Sequence, residues 1–300
     1  MNKGKASAKQ SRHELQCVDR SGQAVKVHNH QSGLFKFLYD CSAGGFLLRG
    51  MVHPLPSKFV GLFLNSGASK VLIPLFVRRN DIDLSEYKPG PYKNFNAFFC
   101  RDILPEARKI DSSANSVISP CDGKIQVFPI DEGSGFEIKG IPYTIATLLK
   151  DSELAERYQG GTLMLIRLGV DDFHRYAYPV SGREKGNIRI NGKLHTVNPF
   201  AAERRAIYCE NSREYSLIDT ESLGTVLMME VGALMVGKIV NLHSVGQVTR
   251  GQEKGYFRYG ASSIVLCFEK GRIVPDPDLI ENTEKGVETI VRLGEKIAIF

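Results

Sequence analysis

The sequence has no long hydrophobic run and no tryptophan among its 300 residues. No segment approaches the ~20 continuous apolar residues of a membrane-spanning helix. The N-terminal residues Met1–Lys5 are basic without an apolar segment behind them, so we expect no signal peptide. Internal repeats and low-complexity tracts are also missing. With 42% hydrophobic and 24% charged residues, the composition is that of a globular protein and excludes wholesale disorder.

Closely spaced cysteines and basic tracts are missing too. No C-x-x-C pair or metal-ligand spacing occurs, so we expect reduced thiols in a cytosolic protein and no metal site. No run of five Lys or Arg and no RNP, zinc-finger or basic-zipper pattern occurs, so nucleic acid is not an expected partner. The formal net charge of +6 suits an anionic partner such as phospholipid headgroups, although proteins without such partners carry it as well. The six cysteines are Cys17, Cys41, Cys100, Cys121, Cys209 and Cys267.

The N-terminal third differs in character from the rest of the chain. Residues 1–30 are polar and basic and predict a loosely ordered arm or a short hairpin. Residues 31–110 predict a helical, membrane-associating region, with a break at Asn65-Ser66-Gly67. Its apolar segment 34–52 fits either a helix packed on the core or an amphipathic segment in the membrane interface.

Residues 111–300 predict a β-rich catalytic domain. Short runs of β-branched and aromatic residues alternate there with Gly, Asn and Pro, which is typical of antiparallel strands. One helix is predicted near residues 145–158, and Asn191-Gly192 predicts a two-residue hairpin turn. The fold class is therefore α+β: a helical N-terminal part followed by a large antiparallel β-sheet assembly.

Three local patterns carry residues suited to catalysis. Asp122 lies in Ser-Pro-Cys-Asp-Gly, where a turn feeds a strand, so it is either a turn residue or a rigid carboxylate that orients a histidine. His174 follows two acids and precedes an arginine, so its pKa is open to tuning, although a lone histidine is more often structural. Ser262 and Ser263 end a glycine-rich segment that fits a hairpin or a strained reactive bond.

These residues form a possible charge-relay set of Asp122, His174 and either Ser262 or Ser263. Geometry defines such a set, so the sequence alone proposes it without deciding it. The absence of a G-x-S-x-G motif argues against an α/β-hydrolase.

Taken together, the motifs resemble those of the phosphatidylserine decarboxylase family, in its bacterial branch, along nearly the whole chain from about residue 34. The matching segments are Asn94–Arg101 with Leu104–Arg108, Ser119–Gly123, Asp172–Arg175, Thr196–Pro199, Val231–Ala233, Gly251–Phe257, and Gly286–Thr289 with Gly294–Glu295.

The resemblance implies a proenzyme that cuts itself between Ala261 and Ser262. The products are a β chain of residues 1–261 and an α chain of residues 262–300, which stay together as a heterodimer. Ser262 attacks the preceding carbonyl, His174 acts as base and Asp122 orients it, and Ser262 ends as a pyruvoyl group. That group forms a Schiff base with the substrate amine and withdraws electrons as the carboxylate leaves.

The resemblance also implies a substrate and a location. The reaction converts phosphatidylserine to phosphatidylethanolamine and CO2. The enzyme binds an anionic membrane surface peripherally, at the cytoplasmic face of the cell membrane, and a higher oligomer is possible. These are expectations from the family, not from composition or spacing.

Two positions depart from the family pattern. Ala261 stands where a glycine commonly precedes the reactive serine, and Ala177 stands where a second histidine commonly follows the Asp172–Arg175 motif. They leave two alternatives open: a decarboxylase of a soluble, for example aromatic, amino acid, and an uncleaved, non-catalytic membrane-binding relative.

Overall fold

The computed structural model describes residues 17–25, 38, 46, 48, 50, 52, 54–197, 199–233, 238–260 and 262–300, with the backbone alone for 54–58 and 199–200. Most of the predicted arm 1–30, most of the apolar segment 34–52 and the residue Ala261 lie outside the described residues.

Short helices occupy the N-terminal part and the connections between strands. The predicted break at Asn65-Ser66-Gly67 is confirmed, because one helix ends at Leu64 and a 3-10 helix starts at Gly67. The α-helices are α1 (Pro54–Leu64), α2 (Leu72–Asn80), α3 (Phe95–Phe99), α4 (Ile145–Leu149), α5 (Ser152–Glu156), α6 (Pro199–Ala202), α7 (Ile207–Glu210) and α8 (Pro277–Glu284); 3-10 helices span Gly67–Val71 and Pro105–Ala107.

The strands are mostly short and concentrated after residue 115. They are β1 (Cys17–Val18), β2 (Ala24–Val25), β3 (Ser116–Ile118), β4 (Gly123–Pro129), β5 (Gly135–Ile138), β6 (Ile141–Thr144), β7 (Thr162–Leu168), β8 (Arg175–Ala177), β9 (Gly182–Ile190), β10 (Arg213–Asp219), β11 (Thr225–Val231), β12 (Ile239–Asn241), β13 (Gly246–Val248), β14 (Glu253–Phe257), β15 (Ser262–Phe268), β16 (Val274–Pro275), β17 (Glu288–Val291) and β18 (Lys296–Ile299).

A ten-stranded sheet dominates the molecule, in the order β13-β9-β10-β11-β15-β7-β4-β17-β1-β2. Its pairs are antiparallel except for β1 with β17, which is parallel. Smaller sheets β12-β14-β8 and β16-β18-β3 and the hairpin β5-β6 accompany it. The α+β class with a helical N-terminal part is thereby confirmed.

Strand β15 lies inside this sheet, between β11 and β7, and all seven of its residues are buried. The run Ser-Ser-Ile-Val-Leu-Cys-Phe suits this place, because β-branched and apolar side chains fill both faces of a covered strand. The large core surrounds β15. Its first residue, Ser262, pairs with Leu168 of β7, and pairing with β11 starts at the next residue, Ser263.

A second, smaller core joins the N-terminal helices to the β-rich domain. It packs side chains of α1, α3 and the intervening loops against one residue from the loop before β8. Its buried members are Leu64, Ile82, Tyr87, Phe95, Phe98, Phe99 and Phe173. Because Phe173 directly precedes His174, this aromatic cluster fixes the position of the candidate histidine.

Two local predictions differ from the structure. The predicted hairpin turn at Asn191-Gly192 is wrong, since β9 pairs instead with β10, which begins at Arg213. Gly192 is needed there for close approach, because a Cβ would lie 2.3 Å from the carbonyl oxygen of Glu210. The helix predicted near 145–158 is two helices, α4 and α5, separated at Lys150, whose φ is 55°.

Candidate active site

Ser262 is the first residue of β15 and has no accessible surface. Its backbone pairs with Leu168 at the end of β7. Its Oγ is buried and has no hydrogen-bond partner within the described part of the chain. Buried hydroxyls are nearly always hydrogen-bonded, so a buried hydroxyl without a partner indicates a functional role. The structure therefore leaves this Oγ available for reaction.

The backbone just before the candidate cleavage position has an unusual conformation. Gly260 has φ of +129°, a region that residues with a Cβ rarely adopt. The departure at Ala261 does not remove glycine from the segment that leads into Ser262.

His174 lies between β7 and β8 and is fully buried. Its Nδ1 is 2.8 Å from the backbone carbonyl oxygen of Asp172, and its Nε2 has no hydrogen-bond partner among the described residues. A carbonyl oxygen only accepts, so Nδ1 carries the proton and donates it to that bond. The lone pair of Nε2 is consequently free, which is the form of histidine that accepts a proton in general-base catalysis.

The surroundings of His174 keep the imidazole neutral. Burial lowers its pKa from 6.5 to about 4, and the positive charges of Arg101 and Lys124 act in the same direction. The negative charge and the backbone carbonyl of Asp172 oppose this shift but do not cancel it. His174 is therefore uncharged near neutral pH and ready to act as a base.

The carboxylate of Asp172 anchors the loop that carries His174. It accepts hydrogen bonds from the Lys124 Nζ at 2.7 and 2.8 Å and from the Gly169 backbone N–H at 2.6 Å. Burial alone would raise the pKa of Asp172, but the Lys124 ammonium and these hydrogen bonds hold it below its usual value. Lys124, on β4, is thus a positioning residue for the histidine loop.

Asp122 is bound to Arg108 in this structure. The Arg108 guanidinium donates from Nε at 2.9 Å and from Nη2 at 2.6 Å, and the backbone N–H of Leu293 donates at 2.8 Å. Asp122 and His174 share no hydrogen bond here; the carbonyl of Asp172 orients the imidazole instead. The turn around Asp122 still touches the histidine strand, since Ala177 donates to the Pro120 carbonyl at 2.8 Å.

Phe99 is the ring on which His174 and the segment before Ser262 both pack. Its centroid lies 4.1 Å from the imidazole and 5.1 Å from the ring of Tyr259. Tyr259 is only three residues ahead of Ser262, and its backbone N–H is 3.4 Å from the side-chain oxygen of Asn96 on the same helix. Helix α3 therefore contacts both His174 and the segment that leads into Ser262.

A cavity of about 460 Å³ opens beside the histidine loop. Phe173, Arg175 and Ala177 contribute to its wall. Ala177 is the position at which the family commonly has a second histidine, so the small side chain leaves room there. The cavity is therefore lined by Phe173 and Arg175, the two residues that flank His174 in the sequence.

Sequence reasoning missed several residues that the structure brings to this site. Arg101 and Arg108 lay in a segment that the sequence matched to the family, but nothing in the pattern gave them a role. Phe99 and Tyr259 read only as aromatic residues, and Lys124 as an ordinary strand residue. A Lys or Arg at a buried strand or helix position is the one signal that marks such residues in advance.

Comparisons with known proteins agree on one family. The model of the phosphatidylserine decarboxylase family matches residues 95–299. A relative from Clostridium acetobutylicum named phosphatidylserine decarboxylase proenzyme 2 is 42% identical over 269 residues, which is 89% of this chain and 92% of the relative. Proteins named phosphatidylserine decarboxylase proenzyme from Fusobacterium nucleatum and Desulfitobacterium hafniense are each 38% identical, over 94% and 95% of this chain and 97% and 98% of their own lengths.

The matched region contains the aromatic helix α3, the Asp122 turn, the His174 loop and the strand that begins at Ser262. About two residues in five are identical over almost the full length, and these elements lie within the matched region. Together they establish that the proteins are homologous. The chain belongs to the phosphatidylserine decarboxylase family.

Proposed function

We propose that this protein decarboxylates phosphatidylserine to phosphatidylethanolamine after cutting itself between Ala261 and Ser262. The observation that carries the proposal is a pair of buried atoms that have no hydrogen-bond partner among the described residues: the Oγ of Ser262 and the Nε2 of a neutral His174. One is a nucleophile without a hydrogen bond, and the other is a base without a proton. The names of the relatives supply the substrate and the proenzyme state.

In the cleavage step, Oγ of Ser262 bonds to the carbonyl carbon of Ala261 as Nε2 of His174 takes the hydroxyl proton. The peptide C–N bond breaks, its nitrogen gains a proton, and an ester links the two pieces. Loss of the Cα proton of Ser262 then expels the carboxylate of residue 261. Water adds to the resulting dehydroalanine and ammonia leaves, which produces a pyruvoyl group.

The residues present fit this group, because an unpartnered serine at the start of a buried strand is its chemical precursor. The pyruvoyl group supplies an electron sink for the decarboxylation. The group would lie at an enclosed position, since Ser262 and its strand partner Leu168 are fully buried. His174 holds Nε2 free as a site from which a proton returns to the substrate carbon.

The two pieces stay together in the proposed enzyme. Residues 262–300 contain β15, which pairs with both β11 and β7, and β17, which pairs with both β4 and β1. Strand β18 also pairs with β3, so separation would break five strand ladders and expose a strand whose seven residues are all buried. Each exposed apolar side chain costs roughly 1.5–3 kcal/mol, so dissociation without unfolding is not expected.

Intact-mass spectrometry of the denatured wild-type protein tests the proposal directly. We expect two chains divided between Ala261 and Ser262, the smaller one lighter by one ammonia than an unmodified 262–300 peptide. The same preparation is expected to release CO2 from phosphatidylserine and not from free amino acids. An uncleaved chain of 33.3 kDa that releases no CO2 would contradict the proposal and favour a non-catalytic relative.

Membrane binding is part of the proposal, because the substrate is a bilayer lipid. In α1 the side chains of Phe59, Leu62 and Phe63 are 70%, 68% and 50% exposed, and Val71 and Leu75 follow at 76% and 65%. We call these five residues the apolar patch. Exposed Lys70, Arg78 and Arg79 accompany it and suit anionic headgroups.

The proposed occupant of the apolar patch is an anionic lipid surface at the cytoplasmic face of the cell membrane. Within the described residues, no helix combines the length and apolar character needed to cross a bilayer. The patch is carried by the same helical layer that covers the active site, since Phe76 of α2 packs edge-on against Phe95 and Phe98.

Replacing Phe59, Leu62 and Phe63 together by serine is expected to weaken binding to phosphatidylserine vesicles by at least about tenfold, since each buried side chain of this size contributes roughly 1.5–3 kcal/mol. Vesicle sedimentation measures the effect. Self-cleavage and turnover of a short-chain, micellar substrate should persist. Leu242→Ser with Val245→Ser is the control, because these residues are 49% and 66% exposed outside the patch. Equal losses in both variants would contradict the assignment.

A further inference from the structure

Arg101 is a buried cation without a counter-ion among the described residues. The residue follows α3 and is 3% exposed. Its Nε and Nη2 are buried and have no hydrogen-bond partner among the described residues, and Nη1 makes one long contact of 3.4 Å to the Phe98 carbonyl. In the same part of the chain the guanidinium forms no ion pair. An arginine in this state is costly, because a buried guanidinium normally satisfies its donors with a carboxylate, a phosphate or carbonyl oxygens.

Nearby carboxylates are already bound to other cations. Asp122 and Glu86 each pair with Arg108, at 2.6 and 2.9 Å, and Asp102 pairs with Arg175 at 2.7 Å. None of these acids is left to neutralise Arg101. The positive charge at this position is therefore a surplus that the described fold does not balance.

Two aromatic rings hold the guanidinium in place. The Cζ of Arg101 lies 3.9 Å from the ring centroid of Tyr87 and 4.8 Å from that of Phe98. Such cation–π contacts stabilise a cation but satisfy none of its N–H donors. They fix a planar group whose two free donors are suited to an oxyanion.

Arg101 is close to the catalytic histidine. Phe98 and Phe99 are consecutive, and Phe99 packs at 4.1 Å on His174. The ring of Tyr87, which stacks on Arg101, lies 6.0 Å from the ring of Phe173. The cavity of about 460 Å³ is lined by Asp102 and Ile103, which directly follow Arg101, and by Phe173. A headgroup in that cavity would contact Asp102, the residue next to Arg101 in the chain, and Phe173, whose ring lies near the Tyr87 ring that holds the guanidinium.

We propose that Arg101 binds the phosphodiester of the lipid headgroup through its two unpartnered donors. This inference rests on the proposed function and names the group that holds its substrate. The substrate carries two anions, and the reaction distinguishes between them. The carboxylate leaves as neutral CO2, so an ion pair with it would stabilise the ground state more than the transition state and would slow the reaction. The phosphodiester keeps its charge throughout, so binding it raises affinity without opposing catalysis.

The test compares Arg101→Gln and Arg101→Lys with the wild type, using dihexanoyl phosphatidylserine as substrate and dihexanoyl phosphatidylethanolamine as product inhibitor. The product retains the phosphodiester and lacks the carboxylate. For Arg101→Gln we expect KM for the substrate and Ki for the product to rise together by about 10–100-fold, the usual loss for charge-assisted hydrogen bonds. We expect kcat to stay within about threefold, and Arg101→Lys to lie in between, because lysine keeps the charge but not the planar pair of donors.

Arg272→Gln is the matched control, since Arg272 is half exposed and forms a 3.8 Å ion pair with Glu269. Self-cleavage and the thermal midpoint verify folding, and Arg101→Lys carries the test if the glutamine variant does not fold. An unchanged Ki for the product overturns the inference, and so does a loss confined to kcat. If the wild type releases no CO2 from phosphatidylserine, the proposed function fails. Calorimetric titration with the product then still measures whether Arg101 binds the phosphodiester. Equal affinity of the wild type and the variants for the product, or no binding at all, overturns the inference about Arg101.

Discussion

Ser262→Ala is expected to leave a single chain of 33.3 kDa and to reduce CO2 release from phosphatidylserine to below detection. The substitution removes the only atom that attacks the Ala261 carbonyl in the proposed cleavage, and with it the precursor of the pyruvoyl group. Intact-mass spectrometry and a CO2-release assay measure the two losses. A cleaved and active Ser262→Ala protein would remove Ser262 as the pyruvoyl precursor.

We expect Ser262→Ala to remove the reactive atom with little effect on the stability of the fold. The Oγ of Ser262 has no hydrogen-bond partner within the described part of the chain, so alanine leaves no described donor or acceptor stranded. We expect the free energy of unfolding of the intact chain to change by no more than about 1 kcal/mol. Chemical denaturation of the slowly cleaving His174→Gln chain, with and without Ser262→Ala, measures this change in unfolding free energy, because the two proteins differ only at residue 262.

Ser263→Ala is the matched control for the chemistry. Ser263 is equally buried and its Oγ is likewise unpartnered within the described chain, but successive residues of a strand point to opposite faces. We expect it to be cleaved and active. This control separates the two serines that the sequence alone left open, and an intact Ser263→Ala chain beside a cleaved Ser262→Ala chain would move the reactive position by one residue.

Much of the β-rich domain could be predicted from the sequence, because buried strands have a recognisable local composition. Thr225–Val231 and Ile264–Phe268 are runs rich in apolar and β-branched residues between turn residues, and the structure has strands there. The break at Gly67 was equally local. Such features depend on neighbours along the chain, so a sequence displays them.

Long-range pairings were not predictable in this way. Asn191-Gly192 has the local chemistry of a hairpin turn, yet Gly192 serves to let the chain approach Glu210. Asp122 suggested a partner for His174, but the structure pairs it with Arg108. In each case the partner comes from a segment that local pattern does not connect to it, and tertiary packing decides between several reasonable contacts.

His174→Gln is expected to slow self-cleavage by about 10²–10⁴-fold, the usual contribution of a positioned general base. Glutamine approximates the size of imidazole and is able to donate to the Asp172 carbonyl, but it offers no basic nitrogen. The rate is measured as the appearance of the α chain after cell-free synthesis. His243→Gln is the control, because His243 is exposed. Normal cleavage in His174→Gln would remove His174 as the processing base while leaving its part in decarboxylation to a separate assay.

The pH dependence supplies a sharper signature than the substitution. Because burial lowers the pKa of His174 to about 4, the wild-type cleavage rate should stay nearly constant from pH 8 to about pH 5 and fall only as the pH approaches 4. An exposed histidine would lose its basic form around pH 6.5. A midpoint near 6.5 for the cleavage rate would show that the imidazole is solvated when it reacts, contrary to the enclosed site described here.

The same shift sets the sign of a stability effect. Between pH 6.5 and about 4 the unfolded chain protonates His174 and the folded chain does not, so the unfolded state binds more protons there. Stability from this group is present above pH 6.5 and is lost as the pH falls toward 4.

His174→Gln removes that titration. In an uncleavable Ser262→Ala background, the unfolding free energy of the His174→Gln variant should therefore decline less over this interval than that of the His174 parent. A parallel decline in both proteins would mean that other groups carry the acid sensitivity and that His174 is more solvated than its burial indicates. A shallower decline together with a cleavage midpoint near pH 4 would tie one buried, neutral imidazole to both the chemistry and the acid stability of the proenzyme.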